Sequence, residues 1–189
     1  LVITPVLMGM VAYVVVNDLF TVGRQKRELR RAFDQYLSPD MIEKLVEDPE
    51  KLKIGGESRE MTIMFCDIRG FTSISERFKN EPDKLADIIN RLLTTLTAEI
   101  LDTGGTVDKY MGDCIMAFWN APLDQHDHAS RAARAALNMM DALGRSNEAL
   151  IAEGLIAEPL RVGIGLGTGY VVVGNMGSTQ RFDYTVLGD

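Results

Sequence analysis

The chain of 189 residues has few cysteines and no excess of positive charge, which argues against several classes of protein. It contains only two cysteines, Cys66 and Cys114, which cannot form a disulfide framework and which suit a reducing compartment. It also lacks an excess of positive charge, because 20 Lys and Arg stand against 27 Asp and Glu. The resulting net charge of −7 argues against a general nucleic-acid binder, which would have to neutralise phosphates. No internal repeat or low-complexity segment is visible, and the chain is 46% hydrophobic, as is usual for a globular protein.

Charged residues are missing from the N-terminal segment, where none occurs before Asp18. About 20 apolar residues suffice to span a bilayer as a helix. Basic residues that follow such a segment place their side in the cytoplasm. We therefore expect a transmembrane helix at residues 1–22, in the cell (inner) membrane, with the rest of the chain cytoplasmic; a buried helix of a soluble protein is the alternative. The basic residues are Arg24, Lys26, Arg27, Arg30 and Arg31.

The next segment has the pattern of a helical connector. Apolar residues recur at helical spacing from Leu29 to Leu37 and form one stripe. Ser38 followed by Pro39 is typical of an N-cap with proline at the first helical position. We predict a cytoplasmic helical connector over residues 23–56, which could pair with a copy of itself.

From residue 57 onward the pattern alternates between strands and helices. The order β-α-β-β-α-β predicts an α+β domain of the ferredoxin-like type over residues 57–189, with the helices on one face of an antiparallel sheet. Strands are predicted at Met61–Cys66, Thr106–Tyr110, Cys114–Trp119, Leu160–Leu166 and Tyr170–Val173, helices at Leu85–Ile100 and Ala129–Leu143, and a turn at Gly167–Gly169.

Two aspartates are placed where a metal ion could bind. Asp67 ends the first strand and Asp113 lies at the tip of the hairpin that should lie beside it. Two carboxylates 4 Å apart repel by roughly 4 kcal/mol at an effective dielectric constant of 20, and a hard divalent cation such as Mg²⁺ reverses that sign. The turn at Gly70, Phe71 and Thr72 could offer backbone N–H groups to phosphates. Taken alone, two such aspartates are better explained as caps and turn formers.

Four segments in the same order resemble the class III nucleotidyl cyclases. The resemblance runs from about residue 57 to the last residue, and the connector resembles the one that precedes the catalytic domain of bacterial membrane-anchored members. Several of those members carry a CHASE2-type sensor earlier in the chain. The segments are Phe65–Thr72, Asp108–Asp113, Arg161–Gly167 and Asp183–Asp189, with Arg31–Pro39 in the connector.

The resemblance implies an adenylate cyclase, which converts ATP to 3′,5′-cyclic AMP and diphosphate in intracellular signalling. By position, Asp67 and Asp113 match the residues that hold two Mg²⁺ or Mn²⁺ ions, and the backbone carbonyl of Ile68 completes the metal shell. Lys109 and Thr185 match the two base-reading positions. An ammonium group can donate to adenine N1 and a hydroxyl can accept from N6, whereas guanine presents the opposite pattern. Guanylyl cyclases carry Glu and Cys at these positions.

The resemblance also implies a homodimer, in which each site takes its metal ligands from one subunit and its base contacts from the other. In the family an Asn and an Arg that act on the ribose and the transferring phosphoryl group follow almost directly after the motif that ends here at Asp189. Because the chain begins with Leu1 and stops at Asp189, we treat it as a C-terminally truncated fragment and expect this polypeptide by itself to be inactive. The alternatives are a guanylate cyclase, a diguanylate cyclase, whose hairpin motif is missing, and a non-catalytic nucleotide-binding or dimerisation module.

Two further patterns have simpler explanations than a ligand site. We interpret Asp127 as the N-cap of the helix that begins near Ala129, and His126 and His128 as surface residues, since no third metal ligand has suitable spacing. The alternating glycines Gly163, Gly165 and Gly167 indicate close backbone packing rather than a dinucleotide loop, because no helix start follows them.

Overall fold

The computed structural model describes residue 42, residues 56–178 and residues 182–188. The predicted transmembrane helix at residues 1–22 therefore lies outside the described residues, as does the connector at 23–56 apart from Ile42 and Gly56. Within the described ranges, no helix has the length and the apolar composition needed to cross a membrane.

The described residues form eight elements, which confirm the predicted alternation and extend most of its members. The sequence pattern did not predict the short first helix or the last strand. In chain order the elements are β1 (Glu57–Ile68), α1 (Phe71–Arg77), α2 (Pro82–Asp102), β2 (Thr106–Met111), β3 (Cys114–Trp119), α3 (His128–Ala152), β4 (Val162–Gly177) and β5 (Phe182–Leu187).

The five strands make one antiparallel sheet in the order β2-β3-β1-β4-β5. Its first four strands have the order expected of the ferredoxin-like arrangement, in which β1 lies between β3 and β4. β5 adds a fifth strand beside β4. This order places the end of β1 next to the turn between β2 and β3, as the sequence predicts.

The main core lies between one face of the sheet and the helices α2 and α3. The buried residues of α2 recur every four positions, so a single stripe faces the sheet. Each such side chain contributes about 1.5–3 kcal/mol when it is fully buried. The core includes Met64, Cys66, Ile68, Ile88, Leu92, Leu96, Ile100, Ile115, Trp119, Ala135, Met139 and Leu150.

The predicted turn at Gly167–Gly169 is wrong, because β4 is one continuous strand from Val162 to Gly177. The antiparallel register with β1 runs without interruption past this segment, where Thr168 lies opposite Thr62. The hydroxyl oxygens of these two threonines are 2.8 Å apart. Pairing with β1 therefore decides the conformation, whereas the glycine-rich composition alone is typical of a turn.

The hairpin of β4 and β5 bends across the helix-free face of the sheet. β2 and β5 are at opposite ends of the strand order, yet the two strands contact one another. Tyr184 of β5 is buried in a second apolar cluster with Met61, Phe118 and Val173, and its ring centroid lies 6.0 Å from that of Phe118. Ile42 belongs to the same cluster. This packing brings Thr185, the next residue of β5, to β2.

Candidate functional site

The structure brings together the carboxylates of Asp67 and Asp113. Cys66 lies opposite Ile115 in the register of β1 and β3, so Asp67 reaches the end of the hairpin that carries Asp113. Partial burial raises the pKa of Asp113, and the neighbouring Asp67 raises it further through like-charge repulsion. The backbone N–H groups of Asp113 and Ile68 donate to this carboxylate and act in the opposite direction on its pKa. The site therefore holds concentrated negative charge that a cation would relieve.

A cavity of about 600 Å³ lies between α1 and the segment that leads into β4. Its lining includes Arg69, two residues after Asp67, but neither carboxylate of the pair. Three arginines line it, namely Arg69, Arg77 and Arg161, together with one acid, Glu158. The backbone N–H of Arg69 donates to the carbonyl of Arg161 over 2.8 Å, which ties the loop after β1 to the start of β4. The excess of guanidinium groups makes the cavity suitable for an anion.

The turn after β1 contributes to this cavity through only part of the predicted segment. Gly70 lines the cavity and adopts a left-handed conformation with a φ of 71°, and α1 begins at Phe71. The first N–H groups of a helix have no partner within it, so those of Phe71 and Thr72 remain available for other acceptors. The side chain of Phe71 packs against the main core instead.

The glycines of β4 differ in what surrounds them. A Cβ atom on Gly163 would lie 2.4–2.6 Å from the guanidinium of Arg69, so the predicted close packing is confirmed there. It is wrong at Gly165 and Gly167, where a Cβ atom would have no other atom within 4 Å. These two glycines lie opposite Phe65 and Ile63 of β1 on the helix-free face. They leave open space above the sheet.

The structure also brings together Lys109 and Thr185, and it does so through Asp108. The Thr185 hydroxyl donates to Oδ2 of Asp108 over 2.5 Å, and Nζ of Lys109 lies 3.2 Å from Oδ1 of the same carboxylate. The side chain of Asp108 is fully enclosed, whereas that of Lys109 is 39% exposed. A donor and a hydroxyl thus lie side by side at a place that a ligand can reach.

No sequence pattern indicated a role for Asp108, Arg69 or Arg161, although all three lie within the quoted motifs. The available signal was charge within or at the ends of predicted strands, which also fits an exposed surface. Two structural observations distinguish a functional site from an ordinary charged surface. Asp108 is buried, and the two arginines line the same cavity.

One of the two histidines has a different environment from the one predicted, whereas His126 is exposed as expected. His128 begins α3 and is buried, and its Nδ1 lies 2.8 Å from the hydroxyl of Thr62, so its assignment to the surface is wrong. Asp127 is the N-cap residue, but its side chain accepts from Arg131 over 2.6 Å instead of capping the helix. Within the part of the chain that the structure describes, no group of three or more potential metal-ligating side chains is present.

Comparison with known proteins identifies the family. Residues 56–189 match the family model described as the adenylate and guanylate cyclase catalytic domain. The chain belongs to the adenylate and guanylate cyclase family. The resemblance of the four sequence motifs to class III cyclases is therefore confirmed, and the sheet of this cyclase domain is the one that the family's solved structures share.

Curated relatives of this cyclase domain include two bacterial adenylate cyclases. The adenylate cyclase of Anabaena cylindrica is 41% identical over 143 residues, which is 74% of this chain and 27% of the relative. Adenylate cyclase 1 of Rhizobium meliloti (strain 1021) is 32% identical over 177 residues, which is 92% of this chain and 26% of the relative. The chain thus spans about a quarter of the length of these relatives. Neither the CHASE2-type architecture nor the expected C-terminal truncation is supported by the comparisons.

Solved structures similar to the cyclase domain include enzymes named for both purine nucleotides. The guanylyl cyclase Cya2 has 41% sequence identity and a TM-score of 0.66, with 71% of this chain and 66% of that chain covered. The adenylyl cyclase CyaB from P. aeruginosa has 36% identity and a TM-score of 0.68, with 71% and 68% covered. Overall similarity therefore does not distinguish ATP from GTP.

Proposed function

We propose that this domain is the catalytic domain of an adenylate cyclase, which converts ATP to 3′,5′-cyclic AMP and diphosphate. The observation that carries the proposal is the meeting of Asp113 with Asp67. Asp67 lies two residues before Arg69, which lines a cavity together with two other arginines. Paired carboxylates suit divalent cations, and clustered guanidinium groups suit a chain of phosphates. A nucleoside triphosphate with its metal ions combines both requirements.

The donor set fits Mg²⁺ or Mn²⁺. Asp67, Asp113 and the backbone carbonyl of Ile68 provide only hard oxygen ligands, and Mg²⁺ is commonly held by one or two carboxylates together with substrate phosphates. Partial burial, with a smaller contribution from the charge of Asp67, raises the pKa of Asp113. Two such ions would activate the ribose 3′-hydroxyl and stabilise the charge on the triphosphate.

The residues of the chain itself bind and orient the nucleotide. Arg161 and Arg69 both line the cavity, and a backbone hydrogen bond joins them, so both can donate to phosphate oxygens. Gly163 keeps the space that the guanidinium of Arg69 occupies. These contacts attract the triphosphate and hold it near the carboxylate pair.

The base-reading pair favours ATP. The ammonium of Lys109 can only donate, which matches the acceptor at adenine N1. The hydroxyl oxygen of Thr185 can accept from the exocyclic amino group at N6. Guanine has a donor at N1, which is the wrong group for the ammonium of Lys109. The guanylyl cyclase Cya2 keeps GTP as the second candidate, since it is as similar to this chain as the adenylyl cyclases are.

We further propose that two copies of the domain assemble through the helix-free face of the sheet. Phe65 and Met111 each expose 45% of their surface there, and Gly165, Gly167 and Gly169 leave open space beside them. An exposed apolar face with open space of this kind is typical of a surface that binds another protein. The family's homodimeric arrangement, with active sites at the interface, supports a second copy as the occupant.

Assays of the full-length protein with ATP, GTP and Mn²⁺ test the proposed activity. We expect cyclic AMP as the main product, and the separate substitutions D67A and D113A should each abolish it. D141A changes an exposed aspartate of α3 and is the matched control, which should keep wild-type turnover. Equal rates with GTP would replace the assignment by a purine cyclase without preference. Nucleotide binding without any product would leave a non-catalytic module.

A further inference from the structure

Asp108 has an arrangement that the proposed catalytic steps do not explain. It is 4% exposed, and no exposed surface remains on its side chain. A carboxylate buried this deeply needs compensating partners. Its partners are the two base-reading residues, since Oδ2 accepts from the Thr185 hydroxyl and Oδ1 lies 3.2 Å from the ammonium of Lys109. Oδ1 accepts no hydrogen bond.

A β-bulge accounts for this arrangement. The register of β2 with β3 shifts between Val107 and Lys109, so Asp108 is the extra residue that has no partner on β3. Adjacent residues of a regular strand point to opposite faces, whereas a bulge redirects the side chain at the extra position. Asp108 and Lys109 can therefore interact directly, and the β4–β5 hairpin brings Thr185 to the same carboxylate.

We propose that Asp108 is a positioning residue that fixes the Thr185 hydroxyl as a hydrogen-bond acceptor and thereby selects ATP over GTP. The inference rests on the proposed cyclase function and adds the cause of its substrate preference. A free hydroxyl is ambivalent, because it can donate to guanine O6 as readily as it accepts from adenine N6. The single proton of Thr185 is given to Asp108, so only lone pairs remain for the base.

The substitution D108N tests this arrangement with almost no change in shape. The ammonium of Lys109 has only donors, so it attracts the amide oxygen of the new side chain and leaves the NH₂ group facing Thr185. The amide then donates to the hydroxyl and releases its proton towards the base. We expect the ratio of kcat/KM for ATP to kcat/KM for GTP to fall by about tenfold or more in the full-length protein. The reason is that the hydroxyl can then donate to guanine O6 as well as accept from adenine N6.

The matched control is D141N, which makes the same chemical change on the exposed surface of α3. It should leave the ratio within about twofold of the wild type, because surface substitutions have small effects. If Asp108 only stabilised the fold, D108N would lower both values together and leave their ratio unchanged. That result, in a variant that folds, would overturn the inference.

A second variant tests the inference without touching Asp108. T185V removes the hydroxyl, so ATP should lose its contact at N6. For GTP the same change removes the repulsion between the hydroxyl oxygen and guanine O6, which are both acceptors in the proposed arrangement. The value of kcat/KM should therefore fall for ATP and rise for GTP. A parallel fall for both nucleotides would show that the hydroxyl is free to donate, and the inference would be wrong. Binding of α,β-methylene analogues of ATP and GTP, measured by calorimetry, should show the same changes in both variants.

These outcomes separate the two proposals. Absence of cyclic nucleotide formation by the wild-type protein would overturn the proposed function. Wild-type conversion of ATP with an unchanged nucleotide ratio in D108N would overturn only the role of Asp108.

Discussion

Asn147 holds Leu160 through two hydrogen bonds that replace a strand pairing. Its Nδ2 donates to the carbonyl of Leu160 over 2.9 Å, and its Oδ1 accepts from the backbone N–H of Leu160 over 2.8 Å. Both residues are buried. Arg161, which lines the cavity, is the next residue. The side chain of Asn147 on α3 therefore fixes the position of the backbone that carries Arg161.

The substitution N147A should therefore destabilise the domain and weaken nucleotide binding. It leaves a buried N–H and a buried carbonyl without partners, which should lower the free energy of unfolding by about 2–4 kcal/mol. Urea denaturation monitored by circular dichroism measures the change. N90A, at an exposed position of α2, is the control and should shift stability by less than about 0.5 kcal/mol. Equal effects of the two substitutions would show that the Leu160 contacts contribute nothing.

Divalent cations should stabilise the folded protein through the carboxylate pair. Partial burial and the charge of Asp67 raise the pKa of Asp113, so the ion-free fold carries an electrostatic penalty at neutral pH. Mn²⁺ at roughly 100 times its dissociation constant should stabilise the wild type by about 2.7 kcal/mol, measured as a rise in Tm. D113N should be at least as stable as the wild type without metal and should respond little to Mn²⁺. A full response in D113N would place the metal elsewhere.

Two glycine-to-alanine substitutions should have opposite effects on the stability of the domain. A Cβ atom on Gly105 would lie 2.7 Å from Ile100 and Trp119, both completely buried, so G105A should cost about 1–3 kcal/mol through overpacking. Gly144 is exposed within α3 and has nothing within 4 Å of its Cβ position. G144A should stabilise the domain by about 0.5–1 kcal/mol, because alanine favours the helix. Thermal unfolding of both variants checks the pair, and destabilisation by G144A would contradict the argument.

Removal of Arg161, one of the three arginines that line the cavity, should weaken ATP binding. Arg161 lines the cavity beside the loop after β1, and a charge-assisted hydrogen bond contributes about 1.5–3 kcal/mol. We expect R161A to raise the dissociation constant of ATP by about tenfold or more, measured by calorimetry with a non-cyclising analogue. The exposed R134A on α3 serves as the control. Unchanged affinity in R161A would exclude a phosphate contact at this residue.

The sequence predicted the order of elements and the meeting of Asp67 with Asp113 because both follow from local patterns. Alternating apolar runs define the strands, and the β-α-β-β-α-β order by itself places β1 beside the hairpin. The helix face of α2 is equally local, since its buried residues recur at a fixed spacing.

The remainder depends on contacts between distant parts of the chain. The turn expected at Gly167–Gly169 is absent because 12 paired positions on β1 hold β4 extended. The bulge at Asp108 has no composition signal, and its meeting with Thr185, 77 residues away, requires the bend of the last hairpin. Pairing between distant strands therefore overrides local preference in both places.

The two residues to which we assign base recognition lie on elements that are held in place to different degrees. Lys109 belongs to a strand of the packed sheet, whereas Thr185 is carried by a hairpin that extends past the end of β1 and is anchored there by Tyr184. Slight movement of that hairpin would alter nucleotide choice while the carboxylates keep their places. Substitutions along β5 should therefore change the nucleotide preference that we propose more than they change the turnover that depends on the carboxylate pair.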